Sequence, residues 1–268
     1  MILVTNDDGY LAKGLGKLVE LMRPLGEVVV VSTEEVMSAK GHSVTTAPNM
    51  KVSLEEVSPG YRKYVCNGTP VDCVKIGYQW LMDRKPDIVV SGINHGTNAS
   101  TNVIYSGTMA AAIEASMDGI KAIGFSLDSY ESDADFDHLD EYIIAITKDV
   151  LENGLPDGIC LNVNFPKRSE EPIKGIKICR QAKGKWIEKF TGGQSEQGGT
   201  CLWQGAEFVY EDEGDDTDFS AMKNNYVSIV PTQFDLTDKA VPQRVCDMEI
   251  PHGGVRCDVR AALLLASR

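Results

Sequence analysis

The feature of the sequence that most constrains its fold is the alternation of short apolar runs with segments of helical periodicity. Residues 1–5 (MILVT) and 28–31 (VVVV) are predicted to be buried strands, because both runs are apolar and rich in β-branched side chains. Between them, apolar residues recur at helical spacing until Pro24 and Gly26 interrupt the pattern. The chain therefore opens with a β-α-β unit, in which the two strands run parallel.

The alternation continues along the chain as far as Pro166. Further strands are predicted at 87–90, 120–126 and 159–163, helices at 70–82, 108–118 and 138–151, and a peripheral hairpin or edge strands at 51–66. Strands that alternate with helices imply a parallel sheet covered on both faces. We therefore predict an α/β fold, namely a three-layer αβα, Rossmann-like, mostly parallel sheet.

The pattern breaks down after Pro166. Residues 172–210 are interpreted as short strands and turns, the acidic stretch 211–218 as a solvated turn before a short helix, and 226–230 as one more strand. We predict a Rossmann-like catalytic domain at 1–166 and a smaller, β-rich C-terminal extension at 167–268. The extension is expected to serve as an oligomerisation arm that partly returns to the core, and its apolar tail, 261–268, to pack or pair.

The composition limits the partners of the chain. Its 39 acidic and 26 basic residues give a formal net charge of −13, which argues against a large nucleic acid but permits a small anion bound through a metal ion. Seven scattered cysteines without a C-x-x-C pair argue against a disulfide framework or a zinc site. The first residues lack the basic segment and the long apolar run of a signal peptide. We expect a soluble, cytoplasmic protein with no membrane partner.

Three polar segments follow predicted strands, at residues 6–9, 32–43 and 91–98. In an open parallel sheet, ligands bind at the carboxyl ends of the strands. We expect the three segments to converge on one rim of the sheet and to form the functional site there.

Asp7 and Asp8 are the most informative residues of the rim. Neighbouring carboxylates repel each other unless a cation lies between them, and oxygen-only ligands favour a hard ion such as Mg²⁺ or Mn²⁺. The alternative is a solvated Asp-Gly turn in which Asp8 caps the following helix. The residues by themselves leave both interpretations open.

Two further segments carry groups that can bind an anion. The stretch 91–98 (SGINHGTN) lets the backbone approach a ligand, and Ser106, Gly107 and Thr108 open a predicted helix whose first N–H groups can hold a phosphate. An ordinary turn and a simple helix cap are the respective alternatives. His42 and His95 are candidates for acid or phosphate-binding roles, or surface residues, whereas His138 and His252 are expected to be structural.

In combination these segments resemble the SurE family of stationary-phase survival nucleotidases. The resemblance is carried, in order along residues 1–235, by ILVTNDDG (2–9), SAKGHSVT (38–45), SGIN-x-G-x-N (91–98), YSGT (105–108), LNVNFP (161–166), DTD (216–218) and YVSI (226–229). The sequence departs from the family pattern at Met37, Ser100 and Asn102. These departures place substrate contacts and loop geometry in question, and leave the metal ligands unchanged.

The resemblance implies hydrolysis of nucleoside monophosphates by a homodimer or homotetramer. It implies one divalent metal ion per subunit, Mg²⁺ or Mn²⁺, held by Asp7, Asp8, Ser38 and Asn94, with Asp7 and Asp8 as catalytic residues. It places phosphate contacts at Asn98, Ser106, Gly107 and Thr108, and His42 is added as a substrate-binding candidate.

The leading hypothesis is therefore a metal-dependent phosphomonoesterase, a 5'-nucleotidase. A phosphatase of the haloacid dehalogenase type also begins with an acidic strand end, but it uses D-x-D, whereas the acids here are adjacent. A nucleotide-binding assembly module without turnover is the non-enzymatic alternative.

Overall fold

The structure is a computed structural model that describes residues 1–131, 133–195, 199–212 and 214–237. Its strands are β1 (Ile2–Thr5), β2 (Val28–Thr33), β3 (Val52–Ser58), β4 (Tyr61–Cys66), β5 (Ile88–His95), β6 (Ala122–Leu127), β7 (Ile159–Phe165), β8 (Ile176–Ile178), β9 (Gly184–Gln194), β10 (Thr200–Tyr210) and β11 (Val227–Gln233). Its α-helices are α1 (Lys13–Met22), α2 (Pro70–Ile76), α3 (Gly107–Met117), α4 (Asp140–Asn153) and α5 (Asp218–Lys223). Short 3-10 turns occupy Arg23–Leu25, Ser100–Ile104 and Asp137–Leu139.

Nine strands form one mixed sheet in the order β3-β4-β2-β1-β5-β6-β7-β11-β8. From β4 to β7 all neighbouring strands are parallel, whereas β3 and β11 each pair antiparallel with the strand beside them in that block. The predicted αβα class, with a mostly parallel sheet, is confirmed. Successive connections run in opposite directions from β1, so β1 and β5 flank the switch point of the sheet.

The central strands are buried on both faces because their side chains alternate between two apolar layers. Val28 and Val30 pack with residues of α1 and α4, whereas Val29 and Val31 pack with residues of α2 and α3. This two-sided burial explains why the strands appear in the sequence as continuous apolar runs. Helix α1 lies so close to β5 that a Cβ on Gly14 would meet the carbonyl oxygen of Ile93 at 2.0 Å.

Several boundaries differ from the sequence prediction. The α-helical part predicted at 70–82 ends at Ile76 and continues as a π-helix over Gly77–Leu81. Strand β5 extends to His95, into the segment predicted to be a loop. Its pairing with β6 is shifted between Ser91 and Asn94, and Gly92 adopts a φ of +126° there. This irregularity re-aims the end of the strand toward the rim.

The prediction for residues 172–210 was wrong in length. Most of this segment forms one long hairpin, β9–β10, whose two strands are 11 residues each and pair only with each other in the described part. Both faces of the hairpin are largely exposed, so the sequence lacks the regular alternation of apolar and polar residues that would predict a long strand.

The acidic stretch 211–218 is not simply a solvated turn. Asp212 and Asp216 both pair with Arg180. Asp218 is fully buried, and its carboxylate accepts the backbone N–H groups of Ser100 and Ala182. The segment therefore ties the root of the hairpin to the loop after β5.

The C-terminal strand β11 lies in the same sheet as β7, and Met1–Phe234 form one compact unit. The proposed division at residue 166 stays a prediction. His252 and the apolar tail, 261–268, lie outside the described residues.

Candidate active site

The polar segments after β1, β2 and β5 converge on one cleft at the switch point, as predicted. The cleft encloses about 510 Å³. Of the nine predicted site residues, five line it, namely Asp7, Ser38, Asn94, Asn98 and Ser106. The other four, Asp8, His42, Gly107 and Thr108, lie behind or beside this lining.

Asp7 is buried at the end of β1, where the first turn of α3 holds its carboxylate. Its Oδ1 atom accepts the Thr108 hydroxyl at 2.5 Å, and its side chain is 3% exposed. Burial, followed by the charge of Asp8, raises the pKa of Asp7 to about 6. The structure therefore places two carboxylates where a nearby cation would stabilise both in the charged form.

Asp8 does not cap the helix that follows it. Helix α1 begins after Ala12, which makes no side-chain cap, so the capping alternative is wrong. Oδ2 of Asp8 instead accepts the backbone N–H of His95 at 3.1 Å, and Nδ1 of the same histidine lies 3.4 Å away. The His95 ring is fixed from its other side by an edge contact with Phe136 at 5.2 Å.

Ser38 reaches the cleft on the loop after β2. This loop is anchored at both ends, since the Met37 N–H donates to the Asp7 carbonyl at 2.7 Å and the Gly41 N–H donates to the Tyr105 carbonyl at 3.0 Å. Gly41 has a φ of +56°, and a Cβ there would lie 2.9 Å from the Ile104 carbonyl oxygen. A glycine is therefore required for the loop to approach so closely.

Asn94 is oriented by its own amide group. Nδ2 donates to the carbonyl oxygens of His95 at 3.2 Å and of Gly96 at 2.8 Å, which leaves the side-chain oxygen for the cleft. Asn98 is buried, and its Nδ2 donates to the Ser126 hydroxyl at 2.7 Å. One amide proton of Asn98 remains available to a ligand.

Sequence reasoning assigned no role to Asn162 and Asn164, the two asparagines of the LNVNFP segment. Both are buried on β7 and face the loop that carries Asn98. Asn164 accepts the Asn98 N–H at 2.8 Å and the Thr97 hydroxyl at 3.0 Å, and Asn162 donates to the Asn98 carbonyl at 2.9 Å. Two asparagines at alternate positions of a predicted apolar strand were the sequence signal that could have identified them.

The three predicted phosphate contacts at the start of α3 differ in whether they reach the cleft. Ser106 lines the cleft and caps the helix by accepting the Met109 N–H at 3.0 Å. Gly107 and Thr108 are buried beneath Asp7, and a Cβ on Gly107 would lie 2.7 Å from two atoms of the Asp7 side chain. Their observed contact is thus with the acid rather than with the cleft.

His42 lies outside the lining of the cleft. Its Nε2 atom is 2.7 Å from Oε2 of Glu114, a buried residue of α3, and Lys75 of α2 approaches Oε1 of the same carboxylate at 2.7 Å. Glu114 was missed, although it is the one charged residue of α3, and a lone acid in an otherwise apolar and small-residue helix was the available signal.

The β9–β10 hairpin forms a wall of the cleft that the sequence did not predict. Its contributions are Trp186, Glu188, Gln204 and Ala206. The departures Ser100 and Asn102 have partners at this hairpin, since Ser100 donates to the carbonyl of Ala182, two residues before β9, at 2.9 Å and Asn102 accepts from Trp186 of β9 at 2.9 Å.

Within the described ranges, no helix is long and apolar enough to cross a membrane, and no three His, Cys, Asp or Glu side chains are grouped as a metal site. A metal ion at the cleft would therefore depend on two carboxylates supplemented by neutral oxygens.

The fold and the cleft together define a Rossmann-like α/β protein with paired carboxylates at the switch point of its sheet. The sequence profile of the family described as Survival protein SurE matches residues 2–188. The chain belongs to the SurE family.

Relatives named 5'-nucleotidase SurE match most of this chain. The protein from Flavobacterium psychrophilum is 52% identical over 88% of this chain and 93% of its own length, and that from Bacteroides thetaiotaomicron is 43% identical over 88% and 91%. The crystal structure of the SurE protein from Aquifex aeolicus has a TM-score of 0.77 and 37% identity, and covers 91% of this chain and 97% of that one.

Proposed function

We propose that this protein is a metal-dependent phosphomonoesterase that hydrolyses nucleoside monophosphates to nucleoside and phosphate, a 5'-nucleotidase. The observation that carries the proposal is the placement of Asp7 and Asp8 beside a cleft that also presents Ser38, Asn94 and Ser106. Relatives named 5'-nucleotidase SurE, among them one that is 52% identical, support the same activity.

The donor set fits a hard divalent cation. Asp7 and Asp8 supply charged oxygens, Ser38 supplies a hydroxyl, and Asn94 turns its carbonyl oxygen to the cleft because its amide protons are bound elsewhere. Oxygen ligands of this kind suit one Mg²⁺ or Mn²⁺ ion per subunit. When bound, such an ion neutralises phosphate charge and lowers the pKa of a water molecule.

The residues of the chain itself hold the phosphate group. Ser106 accepts a helix N–H, so its own hydroxyl proton is free to donate to a phosphate oxygen, and Asn98 offers its remaining amide proton. The N-terminal end of α3 adds a favourable partial charge. Hydrolysis breaks the ester P–O bond and water supplies the new oxygen, while one of the two aspartates accepts a proton from the water and gives it to the departing nucleoside oxygen, which leaves as the alcohol.

The two alternatives lack support from specific observations. The haloacid dehalogenase type uses a nucleophilic aspartate two positions from its acid, whereas Asp7 and Asp8 are adjacent and Asp7 is hydrogen-bonded to Thr108. A module without turnover was favoured only by Met37, Ser100 and Asn102. The latter two contact the hairpin root, and the Met37 backbone binds Asp7.

The experiment is phosphate release from a panel of nucleoside monophosphates with Mg²⁺, with Mn²⁺, and with a chelator. We expect turnover that requires a divalent ion and falls by about 10³-fold in Asp8→Asn and in Asp7→Asn. Asp83→Asn, an exposed change outside the cleft, serves as the matched control. Full activity of Asp8→Asn with added Mn²⁺ would refute the site, and trapping of a phosphoenzyme would favour the haloacid dehalogenase mechanism.

We further propose that the enzyme works in the cytoplasm as a homodimer or homotetramer. The five described cysteines are all free, which is typical of a reducing compartment. Phe190 and Leu202, on one face of the hairpin, are 63% and 64% exposed, and Trp203, on the opposite face, is 60% exposed. These exposed apolar residues are ones that a second subunit would cover. Light scattering tests the assembly, and Phe190→Ser should reduce the measured mass; a monomeric wild-type protein would contradict the proposal.

A further inference from the structure

One face of the β9–β10 hairpin lines the cleft to which Asp7 also contributes. Trp186 and Glu188 of β9, and Gln204 and Ala206 of β10, occupy alternate positions and line the cavity together. Since side chains alternate across a hairpin, Trp203 belongs to the opposite face. Phe190 and Phe208 share the face of Trp186, but of these three described aromatic residues only Trp186 lines the cleft.

Trp186 is held in one orientation by two independent contacts. Its indole Nε1 donates to the side-chain oxygen of Asn102 at 2.9 Å, and Asn102 is itself buried. The ring of Phe208, the cross-strand partner of Trp186, packs against the indole in a T-shaped arrangement, with ring centroids 5.2 Å apart and an interplanar angle of 81°. The indole is thus preorganised, which lowers the entropy cost of binding a planar ligand.

The root of the hairpin is also fixed to the loop that leads into α3. Asp218 accepts the N–H groups of Ser100 and Ala182 at 2.8 and 3.0 Å, and Thr101 donates to the Gly184 carbonyl at 2.7 Å. These bonds span the start of the hairpin and the turn before Ser106. The position of Trp186 relative to the phosphate end of the cleft is therefore set by the fold rather than by the ligand.

The cleft consequently has two chemically different ends. Asp7, Asn98 and Ser106 form a polar end, whereas Trp186, which lines the same cavity of about 510 Å³ together with Tyr105 and Tyr130, forms a fixed apolar plate. A phosphate group satisfies only the polar end. The plate suits a flat, aromatic group attached to that phosphate, because every nucleobase has a π-face that stacks on an aromatic side chain.

We propose that Trp186 is the stacking platform for the nucleobase and that it distinguishes nucleotides from phosphomonoesters without a base. The inference rests on the proposed phosphomonoesterase function. Stacking reads the face of a ring rather than its edge, so the platform accepts purines and pyrimidines alike.

The test compares AMP with ribose 5-phosphate, which lacks the base. In Trp186→Leu we expect kcat/KM for AMP to fall about tenfold, chiefly through KM, with kcat/KM for ribose 5-phosphate changed less than twofold. Trp186→Phe keeps an aromatic plate and should retain most of the preference for AMP. Trp80→Leu, at a tryptophan that is 83% exposed and outside the cleft, is the matched control.

A second measurement is independent of turnover. Calorimetric titration with adenosine, which carries the base and no phosphate, should show weaker binding to Trp186→Leu than to the wild type and to Trp80→Leu. An equal loss of kcat/KM for AMP and for ribose 5-phosphate in Trp186→Leu would show that Trp186 only maintains the structure of the hairpin, and would overturn the stacking proposal. Unchanged adenosine binding would also overturn it, whereas a wild-type protein that hydrolyses neither ester but loses adenosine binding on substitution would reject only the phosphomonoesterase.

Discussion

The side-chain oxygen of Asn164 accepts the backbone N–H of Asn98 at 2.8 Å, although Asn164 lies on β7 and Asn98 follows β5, with β6 between them. Asn162 completes the connection by donating to the Asn98 carbonyl at 2.9 Å. The loop that carries a proposed phosphate contact is therefore fixed by buried amides two strands away. Such a network is strong only while every member is satisfied.

Asn164→Ala should weaken both the fold and substrate binding. The change leaves the Asn98 N–H and the Thr97 hydroxyl without their acceptor, and we expect a loss of about 2–3 kcal/mol in the free energy of unfolding. Because Asn98 is then free to shift, KM for the nucleotide should rise about tenfold. Asn164→Asp keeps an acceptor oxygen and should retain more of the binding. A stability loss with KM unchanged would limit the network to a structural role.

Gly107→Ala should disrupt the carboxylate pair. The added methyl group would lie 2.7 Å from the Asp7 side chain, so either that acid or α3 must move. We expect about a 10²-fold loss of kcat/KM and about 1–3 kcal/mol of destabilisation, measured by steady-state kinetics and urea unfolding.

The control for this change is Gly16→Ala, in the middle of α1. Gly16 is exposed and a Cβ there meets nothing within 4 Å, so the substitution should raise stability by up to about 1 kcal/mol and leave activity unchanged. Wild-type kinetics for Gly107→Ala would show that the close approach of α3 to Asp7 is unnecessary.

Glu114→Gln should loosen the loop that carries Ser38, since the carboxylate of Glu114 anchors His42 four residues further along. We expect a loss of about 1–3 kcal/mol of stability and a several-fold higher Mn²⁺ concentration for half-maximal activity. Lys75→Met removes the other partner of Glu114 without touching the loop, so it should cost stability alone. Equal effects of the two variants on the Mn²⁺ requirement would count against an anchor that acts through His42.

His138 should make stability depend on pH. Burial lowers its pKa below the usual 6.5, and neither ring nitrogen has a hydrogen-bond partner. The unfolded chain therefore binds the proton more readily, so this residue destabilises the fold as pH drops through and below about 6.5. The raised pKa of Asp7 acts in the opposite sense, so the comparison must be between variants.

The measurement is the free energy of unfolding of the wild type and of His138→Leu between pH 5 and 8. The free energy of unfolding of the wild type minus that of the variant should decrease toward low pH. A difference that stays constant across this range would show that His138 keeps its ordinary pKa in the folded protein.

Much of the fold follows from local sequence. The strands β1 and β2 were predictable because burial on both faces demands an uninterrupted apolar run, and α2 because Pro70 suits the first turn of a helix. The position of Asp7 and Asp8 at the rim was also predictable, because the carboxyl ends of parallel strands lie at one edge of the sheet.

The sequence by itself determined the layered sheet, the pair of adjacent acids and the family to which the chain belongs. Only the tertiary structure decided that Thr108 supports Asp7, that Glu114 holds His42, that Asn164 fixes Asn98, and that Trp186 faces the cleft. The periodicity of apolar residues indicates which side chains are buried, because the free-energy cost of exposing a side chain to water depends on that residue alone. Partners of buried polar groups are chosen by residues far away in the chain, and no local pattern records that choice.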